Sequence, residues 1–454
     1  MAEGTTAGVA AGDRAAAPRV DPEGAPRSRA GRPLAIALLF LLPALLLLGA
    51  LVVYPIVFSV GRSFYDATGG SFVGVRNYER MFTADSTLTA IKNNLIWVVV
   101  APTVVTSLGL IFAVLTERVR WSTAFKVLIF MPMAISFLSA GVTWRLIYEQ
   151  DPDVGIANAA VGAVVDAVRP PGVLPGARPS DEDAISVSAG ALQTADTVAA
   201  GETVAVGLVA ISPDQVPAEA APAAEPQPVD GAVSGTVWLD FTPGGGGEPG
   251  RVDEQERGLP GVAVEAIDPS GAVAASATTA PDGTFTLDGV TGGGVTVRLA
   301  ASNFREPFSG ISWLGPALVT PAIIVSYVWI WAGFAMVVIA AGLSAIPREM
   351  LEAARVDGGT EWQVFRRVTV PLLAPVLAVV FVTLVINVLK IFDLVLVIAP
   401  GSAQREANVV ALQMWKTAFG TRDFGLGSAL AVFLLLLVIP AMLFNIRRFR
   451  AEER

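Results

Sequence analysis

The sequence contains no cysteine and no histidine. Without thiols there are no disulfides, thiolate nucleophiles or cysteine-bearing zinc sites, and without imidazole there is no Ser–His type of acid–base chemistry. Charge is scarce as well. Asp, Glu, Lys and Arg make up 16% of the 454 residues, against about a quarter in an ordinary soluble domain. No Gly-x-x-x-x-Gly-Lys-[Ser/Thr] loop is present to hold nucleotide phosphates; the glycine run Gly244–Gly247 lacks the lysine. No basic patch interleaved with aromatics points to nucleic acid. No EF-hand-like spacing organises the acidic residues for calcium. The expectation is a chain that is not an enzyme, holds no cofactor or metal, and has lipid as solvent for much of its length.

What the chain does have is long apolar runs, with 53% hydrophobic residues overall. A membrane helix needs about 20 mostly apolar residues. By that criterion there are about six spans: Leu34–Val60, Asn94–Leu115, Ala124–Ile147, Leu318–Leu343, Leu373–Ile398 and Leu426–Phe444. Prolines within them, such as Pro43, Pro102, Pro132 and Pro321, are tolerated where helices pack on helices. Residues 1–32, rich in Ala, Gly, Pro and Arg, read as a disordered tail. The run that follows exceeds a secretory h-region, so it reads as an uncleaved first span.

Orientation follows from Lys and Arg near the spans. Arg27, Arg29 and Arg32; Arg118, Arg120 and Lys126; Arg348, Arg355, Arg366 and Arg367; and Arg447, Arg448 and Arg450 fall on one set of flanks. Arg62, Arg76, Arg80 and Lys92 soften the contrast on the other. Both termini are thereby placed in the cytoplasm, and the long segment 159–310 outside. That segment carries much of the acid behind the net charge of −9. Residues 212–230 read as a Pro/Ala/Glu-rich linker. Within 231–303, alternating runs such as Thr236–Leu239, Val262–Ile267, Thr284–Leu287 and Val295–Leu299 lie between turn signals Asp268–Gly271 and Pro281–Gly283. Short strands at this spacing suggest a small antiparallel sandwich, to which 183–211 adds a few strands. The expected fold class is therefore an all-α polytopic membrane protein with an inserted extracytoplasmic β-sandwich-like domain.

The most informative stretch, 344–371, falls between the fourth and fifth spans on the basic side. It reads as two short helices joined by a glycine turn. Pro347 suits the first turn of the first helix, Gly358 its left-handed C-terminal position, and Thr360 with Gln363 the capping box of the second. Ala353 and Ala354 leave a low surface that another backbone can approach; Met350, Trp362 and Phe365 supply apolar anchors. The spacing Glu352-Ala353-Ala354, Gly358, then Val368-Thr369-Val370-Pro371 resembles the EAA loop of bacterial ABC-importer permeases, which usually ends Ile-x-Leu-Pro. The resemblance implies that Glu352, Ala353, Ala354, Gly358, Trp362, Phe365 and Pro371 form the docking surface for a separate ATPase subunit. It further implies two ATPase subunits, a second permease subunit, an extracellular solute-binding protein, and a location in the bacterial plasma membrane.

Other segments look like the carbohydrate (maltose/glycerol-phosphate) branch of that family: Phe40–Pro43 with Tyr54-Pro55, Phe72–Tyr78, Met131-Pro132 through Arg145, Gly155–Asn158, and Asp423–Ala429. The implied cargo is a sugar or sugar-like solute. The insert, through Val233–Trp238 and Gly258–Val262, looks like prealbumin-like B repeats and carboxypeptidase regulatory domains. It reads as a spacer or as a docking surface. Asn387, Lys390 and Asp393 fall one turn apart on one face of the fifth span. They read either as a neutralised ion pair or as a polar wall of the solute pathway. Tyr327, Trp329 and Trp331 in the fourth span read as ring-stacking residues or as interfacial anchors. Two rival readings stay open: an ion-gradient secondary transporter, which predicts internal repeats that are not evident, and a membrane-anchored receptor or adhesin, for which one span would suffice.

Overall fold

The computed structural model describes residues 31–452 apart from 118, 213–214, 243, 246 and 291–293. The tail expected over 1–32 falls outside the described residues up to position 30, and Gly31 already opens a helix. That helix, α1 (Gly31–Leu48), passes through a π turn at Gly49–Val53 into α2 (Tyr54–Arg62). The short amphipathic α3 (Arg76–Thr83) leads to α4 (Asp85–Glu117), which carries Pro102 within it. Next come α5 (Ser122–Phe130), a 3-10 turn at Met131–Ala134, α6 (Phe137–Ile147) and α7 (Ile156–Val168).

The expected third span is thus not one straight helix. It bends by 100° between Ala134 and Phe137. Pro132 lacks the N–H that an α-helix needs and seeds the 3-10 turn. Ser136 then starts the second half, its side chain accepting from the Ser139 N–H. Four helical segments are long and apolar enough to cross a membrane: Leu39–Arg62, Asp85–Glu117, Val319–Ser344 and Glu361–Leu389. The bent pair makes a fifth. The segment expected as a sixth lies in the last helix, whose stretch Phe424–Pro440 is apolar but shorter than a full span. Among the described residues, four or five spans therefore stand where about six were expected.

Ten strands follow α7: β1 (Arg178–Pro179), β2 (Ile185–Ser188), β3 (Ala191–Thr194), β4 (Thr203–Val209), β5 (Val233–Leu239), β6 (Arg257–Gly258), β7 (Ala263–Ile267), β8 (Val273–Thr278), β9 (Thr284–Leu287) and β10 (Thr296–Leu299). They form two five-stranded sheets, β1-β4-β5-β6 with β9 also on β5, and β2-β3-β10-β7-β8. Leu208, Val237, Phe285 and Leu287 from one sheet share a core with Leu192, Val264 and Val297 from the other. The four alternating runs read from the sequence are strands, as expected. β2, β3 and β4 fall within 183–211, as expected, but the sheets begin earlier, at Arg178, and β4 pairs with β5 in parallel where an antiparallel sandwich was expected. Residues 212–230 therefore lie within a crossover between parallel neighbours, which no tight turn can join. Pro222 within it bridges to Arg257.

One buried carboxylate in this domain makes its stability depend on pH. Glu256 is 2% exposed. Burial pushes its carboxyl above the usual carboxylate range, nearby Asp240 and Asp253 add to the push, and the Asp253 N–H offsets it in part. The folded state then binds a proton at higher pH than the unfolded chain, so stability rises as pH falls through the raised pKa. Thermal unfolding of the β domain is expected to move to higher temperature as pH falls from neutral toward the ordinary carboxylate range, and Glu256→Gln to flatten that response. Identical pH profiles for the two proteins would count against this account.

The chain returns to helix at α8 (Val319–Ser344), α9 (Arg348–Val356) and α10 (Glu361–Val364). A π turn at Phe365–Thr369 leads into α11 (Val370–Leu389). Then come α12 (Asp393–Ile398), α13 (Val410–Trp415) with a π turn at Lys416–Gly420, and α14 (Phe424–Glu452). The centre of the bundle is α8 against α4. A Cβ on Gly109 of α4 would stand 2.5 Å from the Ala335 Cβ of α8, so the glycine is what lets the two backbones come together. Trp97, Tyr327 and Met336 fill the space alongside.

The β domain is tied to the bundle at its two ends by one side chain. Asn158, near the start of α7, is fully buried. Its Nδ2 donates to the carbonyls of Glu149, Gln150 and Ile311, and its Oδ1 accepts from the Ile311 N–H and from Trp313 Nε1. Chain entering the domain is thereby stapled to chain leaving it.

Candidate functional site

Two places in the bundle bring the anticipated residues together. The first is the helix pair α9–α10. Pro347 is the N-cap of α9 rather than a residue of its first turn, and Arg348 opens the helix. At the other end the Gly359 N–H reaches the Ala354 carbonyl at 3.1 Å and the Gly358 N–H the Arg355 carbonyl at 3.0 Å. This is a Schellman closure. Gly358 takes φ +82° in open space, so a side chain there would meet no atom but would strain the backbone by about 1 kcal/mol. Thr360 Oγ1 then accepts from the Gln363 N–H while Gln363 Oε1 accepts from the Thr360 N–H. Arg355 pairs with Glu361 at 2.7 Å across the turn, locking one short helix to the other.

The surface of this pair is open. Glu352, Ala353 and Gly358 are exposed, and Ala354 is half-buried. Trp362 is 66% exposed and stacks on Phe365 at 5.5 Å. A cleft of about 680 Å³ lies between these helices and the end of α4, lined by Arg348, Glu352, Arg355, Trp362 and Phe365 with Ile111, Leu115 and Glu117. Pro371 stands apart from that cleft, in the first turn of α11.

The second place is a cavity of about 200 Å³ within the bundle, lined by Phe137, Tyr327, Trp331, Asn387, Lys390, Phe392 and Asp393 with Ile391 and Leu394. The expected face of one continuous helix is corrected here. α11 ends at Leu389, Lys390 caps it, and Asp393 starts α12. The Lys390 and Ile391 N–H groups close the last turn on the Asn387 and Val388 carbonyls. Asn94 of α4 holds the break, its Oδ1 accepting from the Val410 N–H at 2.7 Å and its Nδ2 reaching the Leu389 carbonyl at 3.5 Å. Asn387, Lys390 and Asp393 still meet at the cavity, but because the chain turns there. Among the described residues no ion pair joins Lys390 to Asp393.

Of the aromatic candidates, Tyr327 lines the cavity and Trp329 does not. Trp329 packs edge-on against Trp144 at 5.7 Å. Trp331, one turn on from Tyr327 and 5.9 Å from it, takes the place beside it. Helical spacing carried that signal: positions four apart share a face and positions two apart do not. Tyr327 OH and Trp331 Nε1 have no hydrogen-bond partner. Phe137 and Phe392 sit at breaks in the spans, which sequence reasoning did not locate. The cavity thus offers ring faces, an amide, an ammonium and a carboxylate, while the Tyr327 hydroxyl and the Trp331 indole N–H are closed off from it. That set suits a small polyhydroxylated molecule.

Comparison with known proteins places this architecture. The family described as binding-protein-dependent transport system inner membrane component matches residues 274–447. The osmoprotective compounds uptake permease protein GgtC of Synechocystis sp. is 30% identical over 420 residues, covering 92% of this chain and 99% of that protein. The alpha-glucoside transport system permease protein AglF of Rhizobium meliloti is 30% identical over 420 residues, covering 91% and 82%. In fold, the chain is similar to a subunit in the crystal structure of a bacterial ABC transporter involved in alginate import, with a TM-score of 0.53 at 14% identity over 92% of this chain and 96% of that one. With a bundle of apolar helices, a capped helix pair at one end and relatives aligned over nearly their whole length, the chain belongs to the binding-protein-dependent transport system inner membrane components, the permease subunits of ABC importers.

Proposed function

We propose that this permease carries a sugar or sugar-like solute inward by alternating access, and that the cavity around Asn387, Lys390, Asp393, Tyr327 and Trp331 is where the solute pauses. That cavity is the observation that carries the reading. Ionisable groups within spans are functional candidates by default; here Asn387 is half-buried, and Lys390 and Asp393 are exposed at the cavity and face that space rather than pairing. Two relatives point the same way, one named for alpha-glucosides and one for osmoprotective compounds. Energy enters at α9–α10, where one of two ATPase subunits presses on Glu352, Ala353, Ala354 and Gly358 while the other presses on a second permease. A solute-binding protein delivers cargo from outside. In this arrangement α14 completes a sixth span, both termini are cytoplasmic, and the β domain stands on the outer face as a spacer between bundle and surroundings.

The test is uptake. Cells carrying the assembled importer take up a labelled α-glucoside, and Asn387→Leu is expected to raise KM on the order of tenfold or more, as when a site loses a hydrogen bond to a substrate hydroxyl. The amount of protein in the membrane stays unchanged. Wild-type KM in Asn387→Leu, together with wild-type KM in Lys390→Ala, would remove the cavity from the solute path.

A further inference from the structure

A second cavity in the bundle is built from cations and hydrogen-bond donors, and no acidic residue lines it. It measures about 370 Å³ and lies where the start of α4, the loop after α12 and the turn after α13 meet, lined among others by Ser86, Arg405, Gln413, Lys416, Thr417 and Thr421. Asp85, Glu406 and Asp423, each next to a lining residue or close to one in sequence, stay out of it. Asp423 pairs instead with Arg80. Arg80, Arg298 and Arg355 each meet a carboxylate, at 3.0, 2.6 and 2.7 Å. Among the described residues neither Arg405 nor Lys416 meets one. Arg405 is exposed, where an unpaired cation is ordinary. Lys416 is half-buried, and burial pulls its ammonium below the usual lysine range. A cation that has given up water without gaining a countercharge is stabilised by an anion placed beside it.

The neutral groups are polarised in the same sense. The Ser86 carbonyl can only accept, so the Asn408 amide turns Nδ2 toward it at 3.4 Å and toward Gln413 Oε1 at 2.6 Å. Gln413 is thereby set with Nε2 toward the hydroxyls of Ser86 at 3.2 Å and Thr417 at 3.4 Å. Both hydroxyls accept from that amide, which leaves each O–H proton free to donate, and among the described residues neither proton has an acceptor. Hydrogen bonds from such groups to an ionised oxygen are about twice as strong as neutral ones, and a guanidinium offers a carboxylate or phosphate its planar fork. An uncharged ring of hydroxyls gains neither.

We propose that this cavity binds an anionic oxyacid group, a carboxylate or a phosphate, with Lys416 as the inner cation, Arg405 as the outer one and Ser86 and Thr417 as donors. The group arrives either on a small acidic solute or on the headgroup of an anionic lipid. The inference needs the fold alone and stands apart from the solute path proposed at the mid-bundle cavity. The chain has four lysines, Lys92, Lys126, Lys390 and Lys416, so isotope-labelled reductive methylation gives few signals and keeps every positive charge. The full-length chain is methylated in phosphatidylcholine nanodiscs, and the Lys416 signal is assigned by Lys416→Arg. D-Glucuronate is expected to shift that signal saturably, and methyl α-D-glucopyranoside to leave it in place. Arg405→Gln, at an exposed position, is expected to raise the half-saturating concentration about tenfold or more, the effect of losing one hydrogen bond to a charged group. With a lipid headgroup as occupant, the signal moves when phosphatidylglycerol replaces part of the phosphatidylcholine, and Arg405→Gln weakens that response. A shift that an equal concentration of sodium chloride reproduces marks an adventitious ion only and overturns the proposal, as does a Lys416 signal silent to both glucuronate and phosphatidylglycerol. A Lys390 shift with Lys416 silent overturns it too, and leaves the mid-bundle cavity standing as the solute site.

Discussion

Glu352→Lys is expected to cut uptake by about ten- to a hundredfold while the chain remains in the membrane at its normal level, the range set by losing a coupling of roughly 1.5–3 kcal/mol. Glu352 is exposed on α9, beside Arg348 and Arg355 on the wall of the cleft beneath the bundle. Nothing inside the chain depends on it for packing, so the substitution leaves folding largely alone. It does turn an acidic position into a third cation next to two arginines. If the proposed ATPase docks here, its surface opposite Glu352 then meets a cation in place of a carboxylate, and losing one partner of a buried interfacial charge pair typically costs about 2–5 kcal/mol. The readouts are solute uptake, chain abundance in the membrane, and co-purification of the ATPase subunit. Normal uptake with normal co-purification would sink the docking assignment.

The second large effect is structural. Asn158→Ala is expected to destabilise the joint between bundle and β domain by about 3–5 kcal/mol, because it strips five hydrogen bonds from a dry site and leaves the Ile311 N–H, Trp313 Nε1 and three carbonyls to find new partners. Asn158→Asp keeps the acceptor but turns a donor amide into an anion facing three carbonyl oxygens, so it is expected to be no milder. Limited proteolysis of the full chain checks this: new cleavage between 149 and 158 and between 305 and 313, with both the bundle and the β domain intact, is the expected pattern. A variant as resistant as the wild type would show that the joint is held elsewhere.

How much was legible in the sequence depended on how local the cause was. The α9–α10 turn was readable almost atom by atom because Gly358, Thr360 and Gln363 act on their own neighbours. Strands β7, β9 and β10 were readable because alternation is set by one buried face, whereas β5, buried at every position from Val233 to Trp238, was readable only over Thr236–Leu239. β4 was readable only as one of a few strands within 183–211, since its parallel pairing with β5 depends on a distant crossover. The end of α11 was missed for a similar reason: Val388 through Val397 is apolar enough to continue a helix, and what stops it includes Asn94 on another span. Asn158 was visible as part of a segment resembling a family, but its role needs Ile311 and Trp313, which arrive on the far side of the insert.

Asn93 and Asn94 carry a consequence for how the chain is made. Their partners lie 295 to 316 residues further along. At a synthesis rate of about 5–20 residues per second, α4 waits roughly 15–60 s for them. During that interval the two side-chain amides lack the partners they take in the finished fold. A chain truncated before position 389 lacks all four of those partners; one that extends past 410 contains them.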